Sequence, residues 1–101
     1  MSRDKLKDPQ VDELFRAILT LENQDECYRF FEDLCTTAEI KAMAQRLAVA
    51  RLLRQGVTYT AIAAATGAST ATISRVKRFL NYGADGYNLI LDRLEGDKPV
   101  G

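Results

Sequence analysis

The chain contains no histidine and no tryptophan, and only two prolines and two cysteines in 101 residues. Each scarcity excludes something. Without histidine, the commonest general base and the commonest metal ligand are both missing. Cys27 and Cys35 have no second cysteine pair to complete a metal site. On one helix they would lie about 12 Å apart along the axis, too far for an intrachain disulfide. Both are therefore expected as small, buried core residues. The prolines, Pro9 and Pro99, stand near the ends and leave the interior free of helix breakers. No apolar run reaches membrane-spanning length. The uncharged stretch 55–74 is rich in Thr, Ser and Gly and would make a poor span. The opening Met1-Ser2-Arg3-Asp4-Lys5-Leu6-Lys7-Asp8 has no apolar signal segment, so a cytoplasmic location is expected.

One further absence is local. Between Ile40 and Ala84 there is no Asp or Glu, yet the stretch holds seven bases: Lys41, Arg46, Arg51, Arg54, Arg75, Lys77 and Arg78. The whole chain balances 14 basic against 14 acidic residues, so a +7 middle sits between flanks that sum to −7. Net neutrality hides this polarisation, and an acid-free basic stretch points to phosphate partners. Chance clustering of solvated side chains is the plain alternative.

A composition of 47% hydrophobic and 28% charged residues fits one globular domain, 1–101. The apolar spacing is helical throughout, so an all-α fold of six helices is predicted. Asp8-Pro9 should open the first helix, with Val11, Leu14, Phe15, Ile18 and Leu19 as its stripe. Asn23 with Glu26 marks a second start, followed by Cys27, Phe30, Phe31, Leu34 and Cys35. Thr36 and Glu39 have the spacing of a capping box. The third helix should run to about Gln55, stop at Gly56, and show Ile40, Met43, Leu47, Ala50 and Leu53 on one face. A short helix capped by Thr58 follows, then Gly67, then a helix from Thr70 to about Leu80 capped by Ser69. A last helix starts near Asp85, uses Tyr87, Ile90, Leu91 and Leu94 as its stripe, and ends at Gly96. Residues 97–101 read as a frayed tail.

Residues 58–80 have the spacing of a helix-turn-helix. Ile62 faces the second helix, Ala63 allows close approach, and Gly67 supplies a left-handed turn residue. Ile73, Val76 and Leu80 pack the second helix back on the first. An ordinary αα-hairpin is the alternative. Once those residues face inward, Thr70, Ala71, Thr72, Ser74, Arg75, Lys77 and Arg78 become the candidate DNA face. Short residues at the helix start admit it to the major groove, and hydroxyls and methyls can meet base edges. Arg75, Lys77 and Arg78 are placed for phosphates. Thr58, Tyr59 and Thr60 open the first helix of the pair, where backbone amides and the helix dipole favour a phosphate. Capping and simple surface exposure are the rival roles for Thr70 and Thr72.

Three phrases carry a family resemblance: Cys27-Tyr28-Arg29-Phe30-Phe31-Glu32-Asp33-Leu34-Cys35, Gln45-Arg46-Leu47-Ala48-Val49-Ala50-Arg51, and Gly67-Ala68-Ser69-Thr70-Ala71-Thr72-Ile73-Ser74-Arg75-Val76-Lys77-Arg78. With Asn81-Tyr82-Gly83, these resemble the Trp repressor superfamily, and within it the shorter Trp repressor-related branch of the YerC/YecD type. The resemblance spans about residues 10 to 95. It implies a bacterial six-helix DNA-binding regulator that forms an interlocked homodimer. Segments 9–55 and 85–95 would supply the dimerisation helices, and 58–80 the reading head. It also implies that Arg46 and Arg75 match two arginines of the family's amino-acid pocket, and Thr36 a threonine whose backbone lines it. Val76 and Phe79 stand where the tryptophan-binding members have Gly and Ser. L-tryptophan is therefore not expected as an effector, and a salt bridge or phosphate contact competes as the role of Arg46.

The expected function is a sequence-specific DNA-binding transcriptional regulator, a repressor, acting on double-stranded DNA as a homodimer at the nucleoid. The effector is unknown, and neither cofactor nor metal is expected. A helical protein-interaction module without specific DNA binding is the alternative. An enzyme is not expected: Ser74 and Arg75 have no general base to serve them.

Overall fold

The computed structural model describes residues 5–96, so the expected tail at 97–101 lies outside it. Among the described residues there are six helices and no strand: α1 Pro9–Ile18, α2 Gln24–Leu34, α3 Thr37–Arg54, α4 Tyr59–Thr66, α5 Thr70–Tyr82 and α6 Gly86–Gly96. None is long and apolar enough to cross a membrane. The chain divides into two compact units, Met1–Ile40 and Lys41–Gly101.

In the first unit, side chains rather than burial define the helices. Asp8 accepts from the amides of Gln10 at 2.8 Å and Val11 at 3.0 Å, with Pro9 at the first helical position. Asn23 accepts from the Glu26 amide at 2.9 Å, and Glu26 reaches back to accept from the Glu22 amide at 2.9 Å. The Thr36–Glu39 capping box is reciprocal: the Thr36 amide donates to Glu39 Oε1 at 2.8 Å, and the Glu39 amide donates to Thr36 Oγ1 at 3.1 Å. Hydrogen bonding to the carboxyl itself, from the Thr36 backbone amide first and the Thr36 side chain second, holds Glu39 below its ordinary pKa.

What this unit lacks is an interior. No residue from 5 to 40 is buried. On α1, Val11, Leu14 and Ile18 are half-buried, but Phe15 is 51% and Leu19 83% exposed. On α2 and its edge, Phe30 and Phe31 meet edge-to-face at 5.5 Å between ring centres, while Tyr28 and Leu34 are exposed. The expectation of buried cysteines therefore needs correcting: Cys27 and Cys35 are free and only half-buried. Two short amphipathic helices offer too little cover to enclose a side chain between them.

The second unit has a true core of Val49, Ala50, Ile62, Ala68, Ile73, Val76 and Leu91, ringed by half-buried Leu52, Leu53, Val57, Tyr59, Ala63 and Tyr87. It joins the end of α3 to α4, α5 and α6. The α3 face differs from the predicted stripe. Ala50 and Leu53 pack as expected and Val49 joins them, but Met43 and Leu47 are exposed. The core engages only the C-terminal part of this 18-residue helix. α5 continues to Tyr82, two residues beyond the expected end. On α6, Leu91 is buried and Tyr87 half-buried, whereas Ile90 and Leu94 are exposed.

Ile62→Ala or Ile73→Ala should each lower unfolding free energy by about 2–5 kcal/mol, because each removes fully buried methyl groups from a close-packed core. A urea midpoint that falls at unchanged slope is the expected reading. The Thr36–Glu39 cap adds a pH effect. Its contribution is full above the ordinary carboxylate range and fades as pH falls through Glu39's lowered folded pKa. Acid titration of Glu39→Gln, which removes the titrating group, should accordingly show a smaller loss of stability than the parent chain.

Candidate nucleic-acid interface

The reading head starts where α3 stops. Gly56 takes a left-handed φ of 78°, and Thr58 caps α4 by accepting from the Ala61 amide at 3.3 Å. The turn between α4 and α5 is closed by side chains. Thr66 Oγ1 donates to the Ile62 carbonyl at 2.8 Å and accepts from the Ala68 amide at 3.1 Å. Gln45, from α3, donates to the Thr66 carbonyl at 3.1 Å. Gly67 has φ 74° and its amide bonds the Ala63 carbonyl at 2.9 Å. Ala68 then drops into the core and Ser69 caps α5. Gly67 and Ser69 were legible from their residue types. Thr66 and Gln45 were not: an intrahelical threonine and a partner 21 residues away leave no local signal.

With Ile73 and Val76 buried and Leu80 half-buried, the far side of α5 is set by helical geometry. Thr70, Ala71, Ser74, Arg75 and Arg78 are exposed there, and Lys77 is exposed on the flank nearer α4. Thr72 behaves differently. It is half-buried, its amide donates to Ser69 Oγ at 3.1 Å, and its hydroxyl accepts from Ser69 Oγ at 3.1 Å. It thus belongs to the cap. Thr60 is exposed, while Tyr59 is half-buried with the Lys77 ammonium 5.7 Å from its ring centre. That cation–π contact ties the start of α4 to the middle of α5. Among the described residues only Arg54 makes ion pairs, so Arg46, Arg75, Lys77 and Arg78 face solvent without a carboxylate partner.

Arg46 and Arg75 are brought together. With Val76, Phe79 and Tyr87 they line a cleft of about 250 Å³. Val76 is buried as expected, but Phe79 is 49% exposed, so packing of this ring does not hold α5 in place. Phe79 lies off the stripe formed by residues 73, 76 and 80, on the flank of α5. Thr36 lies in the other unit, where it caps α3.

Comparison with known proteins is decisive at this point. The profile of the family described as Trp repressor protein matches residues 9–95. The chain belongs to the Trp repressor family. This is a regulatory, DNA-binding family and not an enzymatic one. The chain is 60% identical over 95 residues to the uncharacterised protein YerC of Bacillus subtilis, covering 94% of this chain and 91% of YerC. It is 56% identical to the crystal structure of a candidate Trp repressor from Staphylococcus aureus, with a TM-score of 0.90 and coverage of 98% and 99% of the two chains. A TrpR-like protein from Eubacterium eligens is 54% identical, with a TM-score of 0.89 and coverage of 95% and 99%. The all-α Trp repressor-like fold read from the sequence is therefore correct.

Gly67→Ala should destabilise the head by about 1–2 kcal/mol through its left-handed backbone alone. An added Cβ there meets nothing nearer than Gln45 Nε2 at 4.0 Å, so no steric clash contributes. Gly67→Asn should cost less than Gly67→Ala in the same urea titration, since asparagine tolerates this region better.

Proposed function

We propose that the chain is a homodimeric, sequence-specific DNA-binding transcriptional regulator, a repressor, working in the cytoplasm at the nucleoid. One observation carries the reading. α5 exposes Thr70, Ala71, Ser74, Arg75, Lys77 and Arg78 together, on a stretch from 40 to 84 that holds no carboxylate. α5 enters the major groove, with Thr70, Ala71 and Ser74 at base edges and Arg75, Lys77 and Arg78 at phosphates. Thr58, Tyr59 and Thr60 present the start of α4 to the backbone. Thr72 acts through the cap it completes.

The case for a dimer is the missing interior of the first unit. No residue from 5 to 40 is fully buried, and on α6 Leu89, Ile90 and Leu94 are 48%, 43% and 49% exposed. Apolar stripes on α1, α2 and α6 gain their burial from a second copy, in an interlocked homodimer. The two heads then read half-sites about one DNA turn apart, ~34–36 Å.

L-tryptophan is not the effector in this reading. Small-molecule pockets usually span about 300–1,000 Å³ and enclose most of the ligand. The Arg46–Arg75 cleft is smaller and already holds the exposed Phe79 ring. Its two guanidiniums are better used on the DNA backbone.

Titration of duplex DNA at two salt concentrations tests the proposal, using duplexes that the protein selects from a random-sequence pool. Lys77→Ala and Arg78→Ala should weaken all duplexes alike and flatten the salt dependence by about one unit per lost contact. Thr70→Ala and Ser74→Ala should change preference among sites by about 1–3 kcal/mol at the affected base pair. Loss of preference by both classes alike would refute this division of α5. A chain that binds no duplex, but docks on other proteins, would favour an interaction module. Sedimentation equilibrium at micromolar concentration should give two chains per particle. Calorimetry with L-tryptophan should give no heat, with or without DNA; binding that tightens DNA affinity would reverse that conclusion.

A further inference from the structure

A polar cluster ties the helix ends of the second unit together, and none of its members lies on the DNA-facing side of α5. Arg54, the last residue of α3, has a side chain only 24% exposed. Its Nη1 donates to the Asn88 carbonyl at 3.3 Å and to Asn88 Oδ1 at 3.4 Å. Its Nη2 donates to Asp92 Oδ1 at 2.8 Å, with Glu95 Oε2 at 3.6 Å. Asn88 continues the chain of contacts. Its Nδ2 donates to the Leu80 carbonyl at 3.2 Å and to Asp85 Oδ1 at 3.0 Å. The amide has one consistent orientation, with its oxygen toward the guanidinium and its nitrogen toward two acceptors.

Each link answers a specific need. The Leu80 carbonyl sits in the last turn of α5, where carbonyls have no intrahelical donor. Asp85 is the only non-glycine residue with positive φ among those described, at 67°, and the Asn88 bond holds its carboxylate in place. The contacts run unbroken from the end of α3, through α6, to the end of α5.

We infer that Arg54 and Asn88 are positioning residues that set the pitch at which α5 is offered to DNA, an inference that rests on the DNA-binding reading above. The apolar core under α5, Ile73 and Val76, acts through non-directional burial and lets the helix rock about that contact. The Leu80–Asn88–Arg54 links are directional and sit at the C-terminal end of α5, one to two turns beyond that contact. Arginine is suited to the task because its planar fork engages Asn88 and Asp92 at once. In a two-headed reader, the pitch of α5 decides which half-site spacing fits. The head is thereby held by its own side chains and needs no small molecule to set its angle.

The test uses the full chain and a duplex that it selects from a random-sequence pool. Arg54→Leu, Arg54→Lys and Asn88→Ala are compared on that duplex, on the same duplex with one base pair inserted between half-sites, and on an unrelated duplex. All are measured well below each variant's thermal midpoint, with helicity checked by circular dichroism. Arg54→Leu and Asn88→Ala should each lose about tenfold on the selected duplex, or about 1.4 kcal/mol. They should also lose discrimination against the inserted base pair, while the unrelated duplex and the salt slope stay unchanged. Arg54→Lys keeps the Asp92 ion pair but not the fork, so it should hold its thermal midpoint better than Arg54→Leu yet lose spacing discrimination equally. The double variant should lose less than the product of the two single losses, since the Arg54 Nη1–Asn88 Oδ1 bond is common to both. If Arg54→Leu fails to fold, Arg54→Lys and Asn88→Ala carry the same comparison. Equal losses on every duplex with a flatter salt slope would make Arg54 a phosphate contact and overturn the inference. Variants that shift only the thermal midpoint would overturn it too. A parent chain that binds no duplex overturns the DNA-binding reading together with the inference, whereas a binding parent with unaffected variants overturns the inference alone.

Discussion

Ile62, Ile73 and Val76 impose the constraint from which the rest of the second unit follows. All three are essentially inaccessible to water, and they sit on α4 and α5 at positions that one turn geometry alone can bring into a shared core. That geometry demands a left-handed residue at Gly67 and a small, buried one at Ala68. Once α5 is anchored by residues 73 and 76, helical periodicity turns Thr70, Ser74 and Arg78 outward. The charged face is thus a consequence of the apolar one. It also explains why α5 can carry short hydroxyl and methyl side chains at its start: none of those exposed there is needed for packing.

The first unit obeys a different constraint. Its helices begin where they do because Asp8, Asn23 and Thr36 satisfy amides that no interior protects. Capping contributes on the order of 1 kcal/mol per helix end, enough to fix boundaries but too little to stabilise two short helices alone. Their apolar stripes must find burial against something else, which is the physical ground for assigning them to dimerisation. Acidic residues are also concentrated in and near this unit, away from the acid-free stretch 40–84. Electrostatics and packing therefore divide the chain in the same place.

Much of this was legible in the sequence because the signals are local. A cap is a residue type at a fixed offset, and the starts of α1, α2, α4 and α5 fall at Asp8, Asn23, Thr58 and Ser69 as read. The reading faltered where exposure depends on what lies opposite. Met43 and Leu47 continue an apolar period on α3, yet the core engages only the end of that helix. Phe79 is large and aromatic, yet its angle on α5 puts it on the flank, half exposed. Cysteine's ordinary tendency puts Cys27 and Cys35 in a core, yet in their unit no residue from 5 to 40 is fully buried. Hydrophobicity names a tendency, and only the partner surface decides it.

The residues that no sequence pattern revealed share one chemical task. α4 and α5 both end with carbonyls that lack helical donors, at Thr66 and Leu80, and both are met by a side-chain amide from another helix: Gln45 for the first and Asn88 for the second. An amide suits these ends better than an ammonium or guanidinium on two counts. It brings a donor without a charge to desolvate in a half-buried place. It also adds nothing to the field around α4 and α5, so the positive charge there remains that of the exposed bases of α5. The one guanidinium in the network, Arg54, is neutralised by Asp92 and Glu95. Two of the few acids in the second unit therefore engage Arg54, which lies apart from the exposed bases of α5. Arg75, Lys77 and Arg78 are left without a competing carboxylate, which is the condition a phosphate-binding face requires.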